Sequence, residues 1–255
     1  MKTTKEDPIF GTPYFSNVEY DRNEFIEYWR NRKHAYVCSS KVGSTTIRSI
    51  LLENLNIPFI YQRQNQLARS AKHHDKELTP EALEGEKELR ERCVLYLVRC
   101  PFHRVVSSYE YRTHNRFGRP KQDYSAKNQN VDSMNIVEYI EFIANEIKAG
   151  HYNSLIEHFY PQKKSFLKSA FAGTKISTLW QTERIQDLIE IWQDAFKVKL
   201  DVQRRLNSKI RDRNRYHQYY ESYPELFELV KTVFKEDLDW LNRIFDYEGK
   251  FLQAL

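Results

Sequence analysis

His34-Ala35-Tyr36-Val37-Cys38-Ser39-Ser40-Lys41-Val42-Gly43-Ser44-Thr45-Thr46-Ile47-Arg48-Ser49-Ile50-Leu51-Leu52 decides how this chain is read. Residues 35–38 are a short apolar run with the β-branched and aromatic character of a buried strand. A turn around Gly43 follows, and then Ile47, Ile50, Leu51 and Leu55 recur at helical spacing. A strand, a glycine turn and a hydroxyl-rich helix start make an anion cradle. The first N–H groups of a helix lack intrahelical partners, and the helix dipole favours negative charge beside them. Gly43 permits a close backbone approach, Ser44, Thr45 and Thr46 add hydroxyl donors, and Lys41 supplies a compact positive charge. A helix cap alone would account for Ser44, but not for a lysine placed just before the turn.

The cradle departs from two familiar patterns. A nucleoside-triphosphate loop, G-x-x-x-x-G-K-[ST], needs its lysine after the second glycine. Here the lysine precedes the glycine, and no other glycine stands in the stretch before it. The dinucleotide fingerprint G-x-G-x-x-G is also missing.

Working outward, Cys93-Val94-Leu95-Tyr96-Leu97-Val98 is the strongest strand signal, continuously apolar as a strand covered on both faces should be. It runs into Arg99-Cys100-Pro101-Phe102-His103-Arg104-Val105-Val106-Ser107-Ser108-Tyr109, with Pro101 at the start of a helix. Ligands of parallel α/β sheets bind beyond the carboxyl ends of strands, so two such strand ends can address two phosphates of one nucleotide. Arg99 offers a guanidinium fork there, and Ser107 a hydroxyl two turns into the helix. Arg104 falls on a different helix face and reads as an ion-pair or structural residue. Tyr109 reads equally as core or functional.

Other elements follow from periodicity and caps. Residues 1–33 are a lead-in carrying one short amphipathic helix with Phe25, Tyr28 and Trp29, and residues 57–61 a short strand. Thr79-Pro80-Glu81 starts a helix running to about residue 92. Residues 116–133 form a mobile loop, and 135–149 a helix ended by Gly150. A short helix is expected over 154–159, a strand over 175–180, a helix over 183–196 and one long amphipathic helix over 224–245. The alternation of strands and helices predicts an α/β fold, a parallel P-loop-like sheet flanked by helices, in a single domain spanning residues 1–255.

Composition limits the alternatives. The chain has 255 residues, a formal net charge of +5 and only seven glycines beside 17 tyrosines and 15 phenylalanines, which excludes disordered and low-complexity classes. The positive balance suits an acidic ligand, yet falls short of a dedicated nucleic-acid binder, and no nucleic-acid partner is expected. Cys38, Cys93 and Cys100 make no disulfide framework or zinc-ligand spacing, and no metal is expected. No apolar run approaches the ~18 residues of a membrane span, and no signal region opens the chain, so a cytoplasmic location is expected.

Lys41-Val42-Gly43-Ser44-Thr45-Thr46 resembles the 5′-phosphosulfate loop of the sulfotransferases, P-K-x-G-[ST]-[ST]. Residues 99–109 resemble their 3′-phosphate motif, R-D-P-x-x-R-x-x-S-x-Y. The likeness is greatest to the carbohydrate sulfotransferases of the chondroitin/HNK-1 type, and extends to His158-Phe159-Tyr160-Pro161-Gln162, to residues 180–192 and to residues 233–241. Ser40 stands where that family has proline, and Cys100 where it has aspartate; neither change removes a phosphate ligand.

The resemblance implies transfer of a sulfuryl group from 3′-phosphoadenosine 5′-phosphosulfate (PAPS) to a hydroxyl or amine, leaving PAP. The acceptor it implies is a hydroxylated glycan, neutral or anionic. It assigns the donor to Lys41, Val42, Gly43, Ser44, Thr45, Thr46, Arg99 and Ser107, with Lys41 also catalytic. An acceptor hydroxyl needs a general base titrating near neutrality. His73 and His74, between the two motifs, are candidates, as heparan-type relatives carry their proposed base in this interval; His158 is the rival. Residues 197–215, with eight basic residues against two acidic, are either a solvated face or a clamp on phosphate or glycan. The competing expectations are a nucleotide-binding protein without transferase activity and a nucleic-acid-binding module. Neither accounts for two phosphate motifs at strand ends.

Overall fold

A computed structural model of the chain describes residues 10–31, 34–38, 47, 50, 59–63, 93–113, 133–150, 158–167, 175–200 and 214–253. They divide into two compact units, each drawn from separated stretches of chain.

The first unit comprises the described parts of Met1–Arg99, Gln162–Ile210 and Arg243–Phe245. Its strands are β1 (Phe10–Ser16), β2 (His34–Cys38), β3 (Phe59–Arg63), β4 (Cys93–Val98) and β5 (Ile176–Gln181). They form one sheet in the order β1-β5-β4-β2-β3, and every pairing is parallel. β4 is central, with Val94 through Val98 fully buried, as its unbroken apolar sequence predicts. β3 lies two residues downstream of the expected position. β1 was not expected at all: its sequence, FGTPYFS, contains Gly11 and Pro13, which read as turn residues. An edge strand tolerates proline because one side of its ladder is open. The pairing also slips there: from Phe10 to Phe15 the strand advances five residues while β5 advances two, from Ile176 to Thr178.

Helix α1 (Arg22–Arg30) starts on Asp21, whose side chain accepts from the Glu24 N–H. It buries Phe25 and Trp29, as the sequence indicates. Phe25 stacks on Trp180 of β5 with ring centroids 5.6 Å apart, and Trp29 meets Trp192 edge-on at 5.2 Å. Trp192 belongs to α5 (Ile185–Phe196), which follows a single 3-10 turn at Thr182–Arg184. Ile47 and Ile50 are helical and fully buried in the same core. Each such large apolar side chain contributes on the order of 1.5–3 kcal/mol on burial. The unit also holds the short helix α4 (Gln162–Leu167).

The second unit comprises the described parts of Cys100–Pro161, Arg211–Asn242 and Asp246–Leu255. Helix α2 (Pro101–Thr113) begins at the expected proline. Helix α3 (Ile136–Lys148) is opened by a reciprocal capping box between Asn135 and Glu138 and followed by Gly150 at φ 71°, the left-handed geometry that glycine adopts without strain. Helices α6 (Asn214–Ser222), α7 (Glu225–Val233), α8 (Lys235–Phe245) and α9 (Tyr247–Leu252) complete the described elements. The single helix expected over 224–245 is thus two, interrupted at Phe234 (φ −108°, ψ 24°). A one-residue break keeps Leu226, Val230, Phe234 and Leu238 on one buried row, so the apolar period passes through it unaltered. Phe102 packs parallel to both Phe227 and Phe251, at centroid distances of 4.9 and 4.6 Å. The buried Tyr220 hydroxyl donates to the Phe102 carbonyl at 2.9 Å, and burial holds its pKa well above the usual phenol value. Residues 79–92, 116–132 and 154–157, for which elements were expected, lie outside the described residues, as does most of 197–215.

His217 of α6 stacks on Phe251 at 4.8 Å and lies 5.9 Å from the His103 ring. Burial, then repulsion from His103, lower its pKa below 6.5, against a weaker pull from Glu221. The unfolded chain therefore takes up this proton more readily than the folded one. The stability involved is intact above about pH 6.5 and is lost as pH falls through the lowered value. His217→Phe, which keeps the stack, should flatten the decline in melting temperature between about pH 7 and pH 5. An unchanged slope would assign that decline to other groups.

Candidate functional site

Sheet order singles out one pair of strand ends. From β2 the chain moves outward to β3, then crosses back to place β4 on the other side of β2. The strand order thus reverses at the neighbours β2 and β4, and the carboxyl ends of strands at such a switch are where parallel α/β sheets bind ligands. Register puts Cys38 beside Leu97, on strands about 4.8 Å apart. After Cys38 the sequence continues into Ser39-Ser40-Lys41, and after Leu97 into Val98-Arg99. Lys41, Val42, Gly43, Ser44, Thr45 and Thr46 themselves lie outside the described residues, as do His73 and His74.

Arg99 is described, and it is tightly held. It is the first residue past the β4 ladder, which ends at Val98 opposite Gln181. Its N–H donates to Gln162 Oε1 at 2.9 Å, and its carbonyl accepts from Gln162 Nε2 at 2.8 Å. Arg99 Nε stands 4.0 Å from Glu183 Oε1, with both side chains largely buried. Thr182, beside that glutamate, donates its hydroxyl to the Val98 carbonyl at 3.0 Å. The ends of β5 and β1 are tied in the same manner. Asn17 Nδ2 donates to Gln181 Oε1 at 2.7 Å, and the Gln181 N–H donates to Asn17 Oδ1 at 2.9 Å. Buried polar groups must find partners, and here side-chain amides and a hydroxyl fix the carboxyl edge where the ladder stops.

The second unit carries the rest of the 99–109 motif. No acidic residue sits in the first turn of α2 to offset its N-terminal partial charge. Arg104, only 2% exposed, donates from Nη2 to the Tyr160 carbonyl at 2.9 Å and faces the fully buried Asp237 at 4.0 Å. It is the ion-pair residue that its helix face predicts. Ser107 is half-buried on α2. Tyr109 donates to the Met134 carbonyl at 3.0 Å, and burial raises its pKa, so it serves as a packed donor. His158 is buried; its carbonyl accepts from the Ser108 hydroxyl at 3.3 Å and its ring stacks on Tyr111 at 5.3 Å. Arg99 thus belongs to the first unit, and Ser107 and His158 to the second.

Sequence reading gave no role to Gln162, Thr182, Glu183 or Asn17. Gln162 was legible only as the last residue of a motif-like stretch, with nothing local to say that its partner lies 63 residues away. Among the described residues no group of three or more His, Cys, Asp or Glu side chains is gathered as for a metal ion. No helix among them is long and apolar enough to cross a membrane.

Neither the curated proteins nor the solved structures contain a match to the chain. A sequence model described as the sulfotransferase family matches residues 30–249, taking in β2 with the cradle sequence after it, β4 with Arg99, and the helices through α8. With the parallel sheet and its paired strand ends in place, that match identifies the chain as a member of the sulfotransferase family.

Proposed function

We propose that the chain moves a sulfuryl group from PAPS to a hydroxyl or amine of a carbohydrate acceptor by in-line transfer. The observation that carries the reading is the pairing of β2 with β4 at the switch in strand order, with Lys41 three residues past the end of one and Arg99 directly past the other. An anion bearing phosphates at both ends of its ribose suits such a pair of strand ends.

On this reading the acceptor oxygen attacks sulfur while the bond from sulfur to the 5′-phosphate oxygen breaks, and the acceptor proton passes to a base. Lys41, Gly43, Ser44, Thr45 and Thr46 take the 5′-phosphate, where negative charge grows as that bond breaks. The motif gives the 3′-phosphate to Arg99 and to Ser107. Support for a glycan acceptor comes from the likeness of the motifs to carbohydrate sulfotransferases and from the basic stretches at 116–127 and 197–215.

Calorimetry with PAP, AMP and ATP tests the donor assignment. The chain should prefer PAP, and Arg99→Ala should weaken PAP binding about 10–150-fold while leaving AMP unchanged, the loss expected when one charge-assisted contact of about 1.5–3 kcal/mol is removed. Equal wild-type affinity for PAP and AMP would show that Arg99 does not take a 3′-phosphate. Incubation with radiolabelled PAPS and a panel of oligosaccharides tests the acceptor.

A further inference from the structure

We infer that Gln162 is a positioning residue for Arg99: its carboxamide splints the Arg99 main chain so that the guanidinium meets the donor's 3′-phosphate already ordered. The inference rests on the reading of Arg99 given above.

Five contacts converge on this point, all within the first unit. Arg99 lies one residue beyond the last paired position of β4, where a strand end would ordinarily turn to water. Instead Gln162 supplies a donor and an acceptor at 2.8 and 2.9 Å, the same two bonds that a neighbouring strand would provide. The Gln162 residue is fully buried. Its own carbonyl accepts from the Tyr96 hydroxyl at 2.6 Å, so the splint is anchored to the strand that it extends. Ahead of Arg99, Thr182 holds the Val98 carbonyl. Beyond the Arg99 backbone, Glu183 lies within ion-pair range of Nε. Main chain and side chain are both constrained before any ligand arrives.

Arginine is costly to order, because its long stem samples many rotamers. A site that fixes the stem beforehand binds more tightly by the ordering it avoids, worth about two- to twelvefold in affinity for one rotamer-rich side chain. The benefit falls only on ligands that use Arg99. A splint with this purpose therefore acts on the discrimination between a 3′,5′-bisphosphate and a 5′-monophosphate, whereas a merely structural glutamine would affect both nucleotides alike or neither.

Calorimetry on Gln162→Met, which keeps the side-chain length without the hydrogen bonds, decides the matter. PAP affinity should fall about two- to twelvefold with AMP affinity unchanged. In an Arg99→Ala background the same substitution should alter neither. Gln162→Glu, which keeps the acceptor for the Arg99 N–H, should restore part of the PAP affinity. It also supplies the same PAP-only readout should Gln162→Met fail to fold. A wild-type preference for PAP that survives both substitutions overturns the inference alone, as does an equal loss for PAP and AMP. Equal wild-type affinity for the two nucleotides overturns the reading of Arg99, and the inference with it.

Discussion

His73→Ala or His74→Ala is expected to lose about 10²–10⁴-fold in turnover while binding PAP as the wild type does, the signature of a missing general base. The acidic limb of the pH–rate profile should vanish with it, because that limb reports protonation of the base. Deprotonating a hydroxyl as it attacks sulfur asks for a group near neutrality, and in the interval between the two phosphate motifs these two histidines are the ones that qualify. Lys41→Ala should also slow turnover, but with the acidic limb intact, because the role proposed for Lys41 is to answer charge on the departing phosphate and takes no proton. His158 has a different setting, buried and stacked on Tyr111. Its alanine variant should lower the melting temperature more than the turnover. If His158→Ala instead abolishes turnover with unchanged melting and PAP binding, the base is His158. If all three variants keep near-wild-type rates on a genuine acceptor, the base is a carboxylate or belongs to the acceptor.

Asp237→Ala should destabilise the protein by about 3–5 kcal/mol, because it strands the Arg104 guanidinium in the interior of the second unit. At roughly 2–4 °C per kcal/mol for a chain of this size, the melting temperature should drop by about 6–20 °C. Neither partner has access to water: Asp237 is fully buried and Arg104 is 2% exposed. The attraction between them offsets part of the desolvation cost that burial puts on each. It follows that Arg104→Met combined with Asp237→Leu should recover much of what Asp237→Ala loses, since an apolar pair carries no desolvation cost. An Asp237→Ala protein that melts with the wild type would mean that Arg104 draws its compensation from other partners.

The sequence was most legible where a signal is local. β4 follows from six consecutive apolar residues, α3 from Asn135 at one end and Gly150 at the other, and the ion-pair role of Arg104 from its helix face. β1 was hidden because glycine and proline weigh as turn residues in any window that does not know the strand lies at an edge. The break at Phe234 was hidden because no glycine or proline marks it and the apolar row runs on in phase. The tie between Gln162 and Arg99 spans 63 residues, and that between Arg99 and Glu183 spans 84. No window of sequence joins such partners, so Arg99 was readable as a cation at a strand end but the groups that hold it were not.

The pairing of β1 with β5 has a consequence for the ribosome. Phe10 must find Ile176, 166 residues later. At about 5–20 residues per second, β1 waits some 8–33 seconds before its partner has even been made. During that interval Phe10 and Phe15, buried in the finished protein, have no sheet to join, and a nascent chain in that state is the form most exposed to aggregation. Gly11 and Pro13 blunt the hazard, since a segment so punctuated is a poor template for the strands of other chains. The residues that disguise β1 in the sequence thus protect it until β5 emerges.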